Sequence, residues 1–179
     1  MTRPVGRFSA RARRAVLCVH VLSSVGWLGA VVVFIGIAGV ALSSSDPWVV
    51  RGAYLLMAPL GWWVLVPFAA GSLLSGIVQG LGSAWGLWTH YWVAVKLVAT
   101  AVATAVLLLF MQTLELLASD ARASSGAAAP ENLPDPAPLV HSVGALLLLG
   151  LALVLSVYKP RGLTRRGRRR QAARNGAEG

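Results

Sequence analysis

Residues Tyr91–Leu117 read YWVAVKLVATAVATAVLLLFMQTLELL, a largely apolar run whose only charged residues are Lys96 near its start and Glu115 near its end. Crossing about 30 Å of hydrocarbon takes roughly 20 helical residues, and this run supplies them. Three further stretches are as long and as apolar: about Ala15 to Ala41, about Ala53 to Gly80 and about Leu139 to Tyr158. The second could begin to cross as late as Trp62. None alternates in polarity with the period of two that a lipid-facing barrel strand needs. Helices are the remaining way to satisfy backbone groups in lipid. The expected fold is all-α, an integral membrane four-helix bundle at the cell membrane.

Composition agrees. Of the 179 residues 56% are hydrophobic and 12% charged, whereas soluble domains carry about a quarter charged residues. The length suits one bundle and leaves no room for a separate soluble domain. The single cysteine, Cys18, excludes an internal disulfide and any paired-cysteine metal site.

The net charge of +10 is concentrated at the two ends. Arg3, Arg7, Arg11, Arg13 and Arg14 make residues 1–14 a basic leading segment, and Lys159 to Arg174 carry eight further cations within a polybasic tail, 159–179. Basic flanks of apolar spans mark the cytoplasmic side. Both termini are therefore expected in the cytoplasm, which an even number of spans allows. The tail is expected to be disordered and held at anionic lipid, each charge contributing about 1 kcal/mol near the surface. Nucleic acid is not an expected partner. The Leu42–Gly52 and Ala118–Ala137 connections then face outward. A cleaved signal peptide fits the basic start and the small residues Gly39-Val40-Ala41, but the apolar run exceeds the 7–15 residues of such a segment.

Aromatic residues mark the interfaces. Trp85, Trp88, Tyr91 and Trp92 gather at the cytoplasmic end of the third span, and Tyr158 closes the fourth. Trp62 and Trp63 lie well inside the second stretch and fit this scheme less easily. Pro67 deprives the carbonyl of Trp63 of its hydrogen bond, so a kink is expected there. Ser72, Gly76 and Gly80 recur every four residues and make a close-packing face.

An ionisable residue inside a span is the first candidate for function. His20 lies about two turns into the first span, with Ser24 and Trp27 on the same face. Lys96 lies about 6 Å beyond Trp92 at ~1.5 Å per residue, and Thr100 and Thr104 continue its stripe. Two readings of Lys96 stand. Helical side chains lean toward the N-terminus, so the ammonium can snorkel to cytoplasmic water past Trp92. Alternatively it faces the bundle in a polar pocket with His20. His20 and His90 are the only two histidines at similar depth that could ligate a haem between them. Met57, Met111 and Cys18 are too scattered for copper. Glu115 and His141 occupy the outer half and are expected to form a polar contact there. From the residues alone, a structural or interaction role in the membrane leads. A small-solute or metal transporter, which four spans would support only as a homo-oligomer, comes last.

Three segments carry a resemblance: His20-Val-Leu-Ser-Ser-Val-Gly-Trp-Leu-Gly29, Gly86-Leu-Trp-Thr-His-Tyr-Trp-Val-Ala-Val-Lys96-Leu and Ser156-Val-Tyr-Lys-Pro-Arg-Gly-Leu-Thr164. Together they resemble a family of small four-span actinobacterial membrane proteins to which no activity is attached. More distantly, the histidine followed by Trp-x-Gly in the first span, with a lysine in the third, is similar to CopD and HemJ-type membrane proteins. That similarity implies a haem- or porphyrin-handling redox protein, with His20 and Lys96 as the residues carried over.

Overall fold

A computed structural model describes residues 8–82, 91–123 and 133–158. His90, Trp85, Trp88, Glu131, the first arginines and the basic tail lie outside the described residues. Those described form α1 (Ala10–Ser43), α2 (Pro47–Leu60), a π-helical turn (Gly61–Leu65), α3 (Val66–Gly82), α4 (Tyr91–Ala123) and α5 (Ala137–Tyr158). The segment from Pro47 to Gly82 runs as one helix, so four helices are long and apolar enough to cross a membrane. The protein is an all-α, four-helix, multi-pass membrane bundle.

Local chemistry sets the helix ends. The Ser9 hydroxyl accepts from the Ala12 amide at 3.2 Å and caps α1. Asp46 does the same for α2, accepting from Trp48 N–H at 2.9 Å, with Pro47 at the first helical position where its missing N–H costs nothing. This start signal makes the first outer connection shorter than the Leu42–Gly52 loop expected, since only Ser44–Asp46 separate α1 from α2. Asp135 repeats the device, its carboxylate accepting from Ala137 N–H at 2.6 Å ahead of α5. The disturbance expected at Pro67 takes the form of the π-helical turn just before it. There the wider backbone spacing accommodates a proline that cannot donate.

Successive helices run in opposite directions. His20, early in α1, meets Ser72 and Ser75, in the later half of the Pro47–Gly82 helix. Phe110, late in α4, stacks on His141, early in α5. Four alternating crossings bring the start of α1 and the end of α5 to one face of the bundle, and the arginines predict that this face is cytoplasmic. The expected result is that a cysteine at Ser45, in a Cys18→Ala background, reacts with a membrane-impermeant maleimide in intact cells. Labelling only after permeabilisation would reverse the orientation.

The tightest packing lies in the outer half. Ala41, Tyr54, Met57, Ala58, Met111, Leu114 and Ala118 are all but fully buried where α1, α2 and α4 meet. Alanines there let the backbones approach, which is how helices gain van der Waals contact in lipid. Tyr54 ties in the segment before α5, donating to the Asp135 carbonyl at 2.8 Å and accepting from its amide at 2.7 Å.

Candidate functional site

The polar residues of the inner half converge. Lys96 Nζ lies 3.5 Å from His20 Nε2, so its side chain turns into the bundle and does not snorkel along the lipid face. The imidazole is held from the other side. His20 Nδ1 is 3.1 Å from the Ser72 carbonyl and 3.0 Å from the Ser75 hydroxyl. A carbonyl can only accept, so Nδ1 carries the proton and Nε2 presents a lone pair toward Lys96. The Ser75 hydroxyl in turn donates to the Gly71 carbonyl.

This convergence depends on how closely α1 approaches α3. A Cβ at Gly71 would sit 2.7 Å from the Ser23 hydroxyl, and one at Gly76 would sit 3.3 Å from Cε1 of His20. The Ser72–Gly76–Gly80 face thus does more than pack: it delivers a backbone carbonyl to the imidazole. Ser24 and Ser72 hydroxyls bond at 2.8 Å, and Gln79 donates to the Val16 carbonyl at 3.3 Å. Thr100 and Thr104 point their hydroxyls back to the carbonyls of Lys96 and Thr100, each at 2.9 Å, so they add no free donor.

Glu115 and His141, expected to meet, take other partners. Glu115 is exposed and accepts from the Trp62 indole N–H at 3.0 Å. His141 is stacked on Phe110 at 3.9 Å between centroids, with Nδ1 donating to the Ala137 carbonyl at 2.9 Å. The reason is the long second helix. Because it starts at Pro47, Trp62 reaches the level of Glu115 and competes for its carboxylate. From Lys96 to Glu115 the helix rises about 28 Å at ~1.5 Å per residue, close to the ~30 Å of a hydrocarbon core. Trp62 and Trp63 therefore sit where an outer aromatic belt belongs, which explains their place in the sequence.

The space between the two polar levels is lined by Trp27, Val31, Phe34, Leu65 and Ala103, and these residues form no polar path across the bundle. Met57 and Met111 are core residues. Among the described residues no group of three or more His, Cys, Asp or Glu is placed to hold a metal ion. Helical depth put His20 and Lys96 at one level but left open whether they face each other; Ser72 and Ser75, polar residues in an apolar run, were the available signal for the third wall.

No family model, curated protein or solved structure matches the chain. Fold and site define it by class: a multi-span helical membrane protein with a half-buried histidine–lysine contact at one end of its bundle.

Proposed function

We propose that the protein binds a haem or porphyrin at the inner end of the bundle, as a membrane redox protein of the HemJ-like kind. The observation that carries this reading is the inward turn of Lys96 onto an imidazole whose other nitrogen is already anchored. Metal-ligating histidines almost always donate their second N–H to a carbonyl or carboxylate, which sets the ring and raises its basicity. His20 has that arrangement through Ser72. The donor chemistry fits, but the 3.5 Å contact leaves no width for a macrocycle between the two nitrogens.

Binding therefore asks Lys96 to turn aside on its flexible stem. His20 Nε2 would then be the nitrogen free to hold the iron, and the Lys96 ammonium, freed from the imidazole, would pair with an acidic group of the macrocycle. Bound haem would supply one-electron chemistry at its iron. The protein's part would be to fix the imidazole and neutralise the acidic edge.

Purified protein, or protein given haem, is expected to show a Soret band that His20→Ala removes and Lys96→Ala weakens. Colourless protein that takes up no added haem would sink the reading. A purely structural role would then remain.

A further inference from the structure

Outward of the His20–Lys96 contact, α1, α4 and α5 enclose a cavity of about 300 Å³. Along α4 its lining runs from Val102 to Leu114, about 18 Å at ~1.5 Å per residue, so the space is long and follows the helices. Its walls are apolar and largely aromatic, with Trp27 and Phe34 on one side and Phe110 stacked on His141 on another. Between α4 and α5 it opens toward lipid, where the lining residues Val102, Val106 and Val140 are themselves exposed.

Three polar groups interrupt these walls, the Trp27 N–H, the Ser142 hydroxyl and His141 Nε2, and none has a partner among the described residues. Trp27 is 2% exposed, yet its indole N–H has no acceptor among the described residues. Ser142 is 7% exposed and its hydroxyl also has no partner among them. Ser43, Ser75, Thr100, Thr104 and Ser156 return their hydroxyls to the carbonyl four residues back, whereas Ser142, like the buried Ser23, does not. No side-chain nitrogen or oxygen among the described residues is both sealed from probe-sized space and unpaired. Trp27 and Ser142 both line the cavity, so a ligand held there is within their reach to satisfy the N–H and the hydroxyl. His141 is the third. Its Nδ1 proton is committed to the Ala137 carbonyl, which leaves Nε2 as a bare acceptor.

A donor thus stands toward the inner end of the cavity, an acceptor and a hydroxyl stand toward its outer end, and aromatic faces lie between. A fatty acyl chain would leave the buried Trp27 N–H and Ser142 hydroxyl unsatisfied, at a cost of about 1–3 kcal/mol for each. A flat ring bearing oxygens on opposite sides and an apolar tail satisfies them. We propose that this cavity binds the ring of an isoprenoid hydroquinone. One ring hydroxyl donates to His141 Nε2 beside the Ser142 hydroxyl. The opposite ring oxygen accepts from the Trp27 N–H, and the tail leaves between α4 and α5. His20 and Lys96 do not line this space, so the site stands apart from the haem reading.

The test uses the full chain in detergent micelles, with a decyl-tailed hydroquinone kept reduced and its bis-methyl ether as the matched probe. Saturable binding of the hydroquinone is expected, with the ether at least tenfold weaker. His141→Phe, which keeps the stack on Phe110, and Ser142→Ala should each weaken binding about threefold to tenfold, the range of one net hydrogen bond. His20→Ala should leave it unchanged, which separates this result from any failure of haem binding. Equal affinity for hydroquinone and ether would overturn the proposal, as would unaltered affinity in both His141→Phe and Ser142→Ala with native melting.

Discussion

Tyr54→Ala is expected to destabilise the bundle by about 3–5 kcal/mol, the range for removing a buried aromatic side chain. Tyr54 is 1% exposed, lies in the tightly packed outer half and holds the Asp135 backbone by two hydrogen bonds. Truncation leaves a cavity beside its packed neighbours and releases the segment that starts α5. Tyr54→Phe keeps the ring and loses the hydroxyl alone. Asp135 is half-buried and water can replace one partner, so about 1 kcal/mol is expected for that change. Denaturant titration in mixed micelles reads both. Equal losses would place the whole effect in the hydroxyl and refute the packing argument; a loss under about 1 kcal/mol for alanine would remove Tyr54 from the core.

Gly76→Leu is the second large effect. The Cβ alone would come within 3.3 Å of His20 Cε1, on a helix face that already touches α1. A branched side chain has no space there, and overpacking costs about 1–3 kcal/mol. The more specific consequence is at the imidazole, which is pushed off the Ser72 carbonyl and away from Lys96. Losing such an orienting bond typically lowers metal affinity about 10–100-fold, so haem affinity should fall by at least about tenfold while the helix content is kept. Gly76→Ala asks the imidazole to give by only a few tenths of an ångström and should be much milder. If Gly76→Leu binds haem as the unaltered chain does, the Ser72 anchor is irrelevant to the site.

The residues of α1, α3 and α4 show how far a sequence of this kind can be read. Length and composition suffice for four spans, because crossing oil demands about 20 apolar residues whatever the neighbours are. Arginines at both ends predict the cytoplasmic face for the same reason: the cost of translocating them does not depend on packing. The depth of His20, Lys96, Glu115 and His141 follows from helical rise.

What the sequence could not settle was direction around the helix axis. In water an apolar stripe tells inside from outside. In lipid both faces are apolar, so the periodicity that would orient Lys96 is absent. Only the tertiary structure turned Lys96 onto His20, because α1 and α3 close on each other at Gly71 and Gly76 and bring Ser72 against the imidazole. It likewise gave Glu115 to Trp62 and set His141 on Phe110, at a level of α4 short of Glu115. The sequence by itself determined which residues lie in the membrane and at what level. Which of them touch was decided by helix packing, where close backbone contact in place of hydrophobic burial selects the facing side chains.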